Sequence, residues 1–145
     1  MIVVDTNVAS ELMRPSPAAA VLDWVRSQDG RDLATTAITV AEIRYGIERL
    51  PGGRRREALK AAVAEVFGMF AEQILPFDAV AAEQYALVVS HRDGLGLPID
   101  GFDAQIAAIC RVRGAALATR NLTDFQQAGV DLINPCRPGP DRSEP

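Results

Sequence analysis

The chain has 145 residues, 48% of them hydrophobic, with 15 Lys plus Arg against 19 Asp plus Glu and a net charge of −4. That length suits one domain able to bury roughly 68–70% of its unfolded surface without a disulfide or metal staple. No apolar run approaches the roughly 18 residues of a membrane span, and Met1 leads straight into an apolar strand pattern, so a cytoplasmic protein without a signal peptide is expected. An acidic balance speaks against a non-specific nucleic-acid binder unless its charges are segregated.

The first seven residues run Met1-Ile2-Val3-Val4-Asp5-Thr6-Asn7, a β-branched strand that stops on a carboxylate. A strand apolar on both faces is expected in the middle of a parallel sheet. Its carboxyl end opens on the crevice where such sheets bind ligands, and Asp5 stands there. Capping of the next helix is the competing use for Asp5.

A helix is predicted from Thr6 to Met13 and stops at Arg14-Pro15. Ser16 as cap and Pro17 in the first turn predict the next helix, to about Arg26, with Val21, Leu22 and Val25 inward. A short strand follows at Leu33–Thr35. Thr39-Val40-Ala41-Glu42 has capping-box spacing and predicts a helix from Val40 to about Leu50. Glu42 is then either held by its own backbone or, on the first turn, faces the same crevice as Asp5.

Pro51-Gly52-Gly53 separates that helix from one over residues 54–70, so the two form a hairpin. Arg44, Arg49, Arg54, Arg55, Arg56 and Lys60 cluster there, and a solvated face explains them more simply than a binding surface. Ile74-Leu75-Pro76-Phe77 reads as an edge strand, and Asp78 caps a helix to about His91, with Val80, Tyr85 and Val88 inward. His91, the only histidine, suits a helix carboxyl end and has no partner for catalysis or metal binding. Asp100 caps a small-residue helix to Gly114 and leaves Asp103 on its first turn. Residues 115–119 make a buried strand that ends on Thr119-Arg120-Asn121-Leu122-Thr123-Asp124-Phe125, and a last strand spans 130–133. Cys110 and Cys136 have no metal or disulfide spacing. The proline-rich residues 136–145 read as a flexible tail.

Alternating strands and helices predict an α/β fold, a mostly parallel sheet between helical layers, as one domain over residues 1–135. Asp5, Glu42, Asp103 and Asp124 all fall at predicted strand-to-helix junctions on one edge of that sheet. Each alone could cap a helix, but four carboxylates in one crevice repel one another, and a cation resolves the conflict. Oxygen ligands without His or Cys select a hard ion such as Mg²⁺ or Mn²⁺, suited to phosphate chemistry.

The motifs Ile2-Val3-Val4-Asp5-Thr6-Asn7, Ile38-Thr39-Val40-Ala41-Glu42-Ile43-Arg44-Tyr45-Gly46, Pro98-Ile99 with Asp103-Ala104-Gln105-Ile106-Ala107-Ala108, and Leu117-Ala118-Thr119-Arg120-Asn121 with Asp124-Phe125 occur in that order. Together they resemble a PIN-domain ribonuclease toxin of the VapC family, from VapBC toxin–antitoxin pairs, and within it the FitB-like branch. The resemblance covers residues 1 to about 135. It implies a PIN-like fold and a Mg²⁺- or Mn²⁺-dependent endoribonuclease that cleaves cellular RNA by in-line attack of water. Asp5, Glu42 and Asp103 match the metal-binding acids. Asp124 matches the fourth acidic position, with Asn121 a competing candidate, while Thr6, Asn7 and Thr119 match a supporting shell. Asp100 has no role in the motif and is read as a cap. A cognate antitoxin, a homodimer and larger toxin–antitoxin assemblies are implied as partners, with no membrane, and the hairpin over residues 39–70 is the candidate antitoxin groove. A receiver-type phosphotransfer domain fits poorly, since it needs paired acids after the first strand and a late lysine, and Lys60 is the only lysine. A PIN-fold module that binds nucleic acid or cuts DNA without toxin activity is the remaining alternative.

Overall fold

The protein, described here from a computed structural model, is defined over residues 1–70 and 72–137. Most of the predicted tail, residues 138–145, lies outside the described residues. In chain order these form β1 (Ile2–Val4), α1 (Thr6–Leu12), α2 (Ala19–Ser27), β2 (Leu33–Thr36), α3 (Ala37–Glu48), α4 (Arg54–Met69), β3 (Ile74–Leu75), α5 (Ala79–Gly94), α6 (Gly101–Arg113), β4 (Ala116–Ala118) and β5 (Leu132–Ile133). Single 3-10 turns occupy Gly30–Asp32 and Leu122–Phe125.

The strands form one parallel sheet in the order β3-β2-β1-β4-β5. The β-branched run at the start of the chain is therefore the central strand, and the proline-bearing segment at 74–77 contributes an edge strand, as its sequence predicts. Alternation along β1 divides the core between the two faces. Val3 packs with Ala81 and Val88 of α5 and Ile106, Ala107 and Cys110 of α6. Val4 packs on the other face with Val8 of α1, Ile43 and Ile47 of α3, and Val63 and Phe67 of α4. The small side chains of α6 let it lie close to the sheet, and Ala104, Ile106, Ala107 and Ala108 are fully buried. Burial pushes the Cys110 thiol up to about 12, so this cysteine is an inert packing residue.

Three local expectations are corrected. Helix α3 begins at Ala37, not Val40, because Thr36 rather than Thr39 is its cap: the Thr36 hydroxyl accepts from Thr39 N at 3.1 Å. Thr39 is then a buried interior residue, and Glu42 sits on the second turn with no capping bond to make. Helix α2 begins at Ala19 with no side-chain cap, so Ser16 does not fill that role; the Ala18 amide instead donates to Glu11 at 2.8 Å. Val80, expected inward, is more than half exposed on α5.

The cationic hairpin is largely occupied with itself. Arg44 lies over the Phe67 ring and Arg49 over Tyr45, while Arg56 pairs with Glu48 and Lys60 with Glu57. An apolar cleft of about 1060 Å³ runs between α1, α2 and α4, with Leu12, Met13, Leu22, Val25, Leu59 and Val66 in its lining. Of the two hairpin helices, α4 lines this cleft and α3 does not. No helix among the described residues is long and apolar enough to cross a membrane.

Candidate active site

Asp5 leaves the carboxyl end of β1 with its backbone tied to β4, its amide donating to Ala118 O at 2.9 Å. Its two oxygens divide the functions that the sequence left in competition. Oδ1 accepts from Thr6 N at 2.8 Å and caps α1, whereas Oδ2 accepts from the Thr119 hydroxyl at 2.8 Å and from Asn7 Nδ2 at 3.2 Å. The side chain is only 4% exposed. Its pKa is raised because burial outweighs the hydrogen bonds from Thr119 and Thr6, and the charge of Asp124 adds to the rise.

Thr6 joins the first motif to the second. Its hydroxyl donates to Glu42 Oε1 at 2.9 Å and lies 3.1 Å from the Thr39 hydroxyl. Glu42 is half-buried, and its pKa is raised by burial against the Thr6 bond, with Asp5 and Asp100 adding repulsion. Early entry into α3 at Thr36 is what frees the Glu42 carboxylate to reach this edge of the sheet.

Asp103 stands on the first turn of α6, whose cap is Asp100, as its sequence predicts: Asp100 Oδ1 accepts from the amides of Phe102 and Asp103. The Asp103 carboxylate receives no hydrogen bond among the described residues, and its pKa is pushed up to about 7, by burial first and then by Asp5, Asp100, Asp124 and Glu42. Asp124 is exposed on the 3-10 turn after β4, and its charge reaches both Asp5 and Asp103. Asn121 uses its backbone here, donating from N to the Thr119 hydroxyl at 3.0 Å. The fold therefore gathers Asp5, Glu42, Asp103 and Asp124 into one electrostatic neighbourhood, with Thr6, Asn7 and Thr119 bonded among them. Asp100, read only as a cap, also contributes its charge to the group.

Two residues escaped the sequence reading. Arg92, beside the histidine that attracted notice, is buried, and it donates to Asp124 O at 2.6 Å, Gln126 O at 2.9 Å, Leu97 O at 2.8 Å and Pro98 O at 3.3 Å. It thereby ties the turn that carries Asp124 to the loop before α6. His91 itself lines a shallow surface cleft with Leu87, Arg111, Gln127 and Gly129. Glu11 is the second: a buried carboxylate on α1 that accepts from Ala18 N and pairs with Arg14 and Arg120. An arginine late in a helix and a glutamate in an apolar-periodic run look like solvated charges, so no local signal marks either one.

Over residues 2–130 the sequence matches the PIN domain family. The chain belongs to the PIN-domain family. It is 41% identical over 139 residues to a VapC ribonuclease, Y4jK, of Sinorhizobium fredii, covering 95% of this chain and 99% of that one. To the toxin FitB of Neisseria gonorrhoeae it is 38% identical over 136 residues, covering 93% and 98%. Among solved structures it resembles FitAB bound to an IR36 DNA fragment, with a TM-score of 0.90, 36% identity, and 97% and 99% of the two chains covered. The five-stranded parallel sheet with helices on both faces is thus a PIN fold.

The donor set of this PIN domain is all oxygen, the chemistry of a Mg²⁺ or Mn²⁺ site. Among the described residues no three Asp, Glu, His or Cys side chains converge tightly enough to enclose an ion by themselves. A hard cation such as Mg²⁺ keeps several of its waters, so the acids around it need not enclose it by themselves.

Proposed function

We propose that this protein is the toxin of a type II toxin–antitoxin pair, a cytoplasmic endoribonuclease dependent on Mg²⁺ or Mn²⁺ that hydrolyses phosphodiester bonds of cellular RNA by in-line attack of water. The observation that carries the reading is the convergence of Asp5, bonded by Thr119 and Asn7, with Glu42, bonded by Thr6, and with Asp103 on the first turn of α6, whose carboxyl group is pushed up by burial and then by the acids around it. Carboxylates held together at such electrostatic cost are what a cation site needs. The names of the relatives, a ribonuclease and a toxin, support the same activity.

Asp5, Glu42, Asp103 and Asp124 would hold the ion, with Asp124 rather than Asn121 in the fourth position. When bound, the ion would supply a nucleophilic water and neutralise charge on the phosphate and the leaving oxygen. The chain's own residues do the positioning. Thr119 and Asn7 orient Asp5 through Oδ2, and Thr6 orients Glu42, each fixing a ligand oxygen before substrate arrives. Arg92 holds the Asp124 turn against the loop that leads into α6.

The structure of FitAB bound to DNA supports a toxin–antitoxin assembly as the resting form. The apolar cleft between α1, α2 and α4 offers a surface for an amphipathic segment of the antitoxin, with α4 of the hairpin as one wall. A homodimer is the proposed unit of the toxin itself.

The test is cleavage of purified RNA with and without Mg²⁺ or Mn²⁺, for the wild type and for Asp5→Asn and Asp103→Asn. Loss of cleavage of at least about 100-fold in both variants, with an unchanged circular dichroism spectrum, is expected, since an outer-shell change alone costs 10–100-fold. Full activity in either variant overturns the site.

A further inference from the structure

Arg120 is tied to α1 through both its backbone and its side chain. Its backbone N donates to Asn7 Oδ1 and its Nη2 to Asn7 O, both at 3.2 Å, while its Nη1 lies 3.6 Å from the carboxylate of Glu11. Glu11 is 5% exposed and is itself fixed by the Ala18 amide. Asn7 in turn bonds to Asp5 and Thr119. A guanidinium that remains 37% exposed is thus locked in register with the central carboxylate of the acidic site. It lines a cleft of about 510 Å³ whose walls also include Asn121, Thr123, Asp124, Asn134 and Arg137.

We infer that this cleft is a backbone subsite of the nuclease: it holds the RNA phosphate adjacent to the scissile one, with Arg120 and Arg137 as its contacts and Glu11 as the residue that positions Arg120. The inference rests on the ribonuclease reading above and extends it to substrate binding. Three features carry it. An acidic centre in a chain of net charge −4 repels a polyanion, and two arginines lining the cleft they share with Asp124 offset that repulsion. Beyond the two arginines and Asp124, the lining holds the amides of Asn121 and Asn134 and the hydroxyl of Thr123, which suit phosphate and sugar oxygens, together with Leu122 and Cys136. Among the described residues no aromatic side chain lines the cleft, so these residues offer no platform for stacking a base, and recognition by them is of the backbone rather than of sequence. Pre-ordering of Arg120 removes the side-chain entropy that a free arginine loses on binding a phosphate.

The subsite is tested with a fluorescent single-stranded RNA of mixed sequence, bound by the full chain carrying Asp103→Asn so that it is not cut. Adding Arg120→Ala or Arg137→Ala is expected to weaken binding about 10-fold and to reduce the slope of log affinity against log salt by about 0.7. Arg120→Lys keeps the charge without the fork and recovers part of the loss, and Glu11→Gln gives an intermediate loss that shrinks less with rising salt than that of Arg120→Ala. In proteins with Asp103 intact, calorimetric Mn²⁺ affinity is unchanged by either arginine substitution. Unaltered RNA affinity and salt slope in both alanine variants, while the wild type cleaves RNA, overturns the subsite and leaves the activity standing. A parallel fall in Mn²⁺ affinity also overturns it, because Arg120 would then belong to the metal centre. A wild type that binds Mn²⁺ but cleaves no RNA overturns the ribonuclease reading and the subsite with it.

Discussion

The Thr119 hydroxyl donates to Asp5 Oδ2 at 2.8 Å, closing a contact between residues 114 positions apart. β1 and β4 are neighbouring parallel strands in register, Val4 opposite Ala118, so the residue that follows each strand arrives at the same point of the sheet edge. The contact is buried, and it works against the desolvation that raises the Asp5 pKa.

Thr119→Val keeps the shape and removes the donor. Asp5 then loses its strongest opposition to burial, and the amide of Asn121 and the side chain of Asn7 lose an acceptor. Mn²⁺ affinity measured by calorimetry should fall 10–100-fold, and stability by about 1–3 kcal/mol in urea titrations. An unchanged metal affinity would remove Thr119 from the supporting shell.

The acidic site has a pH signature in the metal-free protein. The folded pKa of Asp103, about 7, lies above that of a carboxyl in the unfolded chain, near 4, so the folded state binds this proton more tightly. The associated stability is fully present below about pH 4 and is lost as pH rises through about 7. Asp5 and Glu42, both raised, act with the same sign. Between about pH 4 and 7, from the unfolded to the folded value, the metal-free Tm should fall more steeply for the wild type than for Asp103→Asn, and Mg²⁺ should restore most of the difference at neutral pH. Equal slopes for the two proteins would contradict the assigned environment of Asp103.

Arg92→Met should cost about 2–4 kcal/mol, because the carbonyls of Leu97, Pro98, Asp124 and Gln126 lose a charged donor in a buried place. The same change releases the turn that carries Asp124, so RNA cleavage should fall even at temperatures where the variant is folded. His91→Ala, one residue away, serves as the control and should alter neither quantity.

Capping of α3 separates structure from chemistry. Thr36→Ala should lower stability by about 1 kcal/mol through loss of the bond from Thr39 N. Glu42→Ala, which a capping box would make destabilising, should leave stability at neutral pH unchanged or raised while abolishing metal-dependent cleavage. A destabilisation of Glu42→Ala equal to that of Thr36→Ala would restore the capping role to Glu42.

What the sequence determined by itself is the frame. The buried β-branched run at 2–4, the edge proline at 76, the caps Asp78 and Asp100 and the stop at Gly114 are signals carried within a few residues, and each is found where the sequence predicts it. The carboxylates were legible because parallel strands deliver their following residues to one edge. Tertiary structure alone decided how each group is used. Asp5 serves as both cap and oriented carboxylate because its second oxygen meets Thr119 from β4. Glu42 is free because Thr36, at the end of β2, caps α3 ahead of Thr39. Arg92 and Glu11 are buried because their partners, backbone carbonyls in one case and an amide and a distant arginine in the other, come from segments that meet only when the sheet assembles. Backbone acceptors and donors are present at every position of a chain, so no residue pattern announces which of them a buried charge will find.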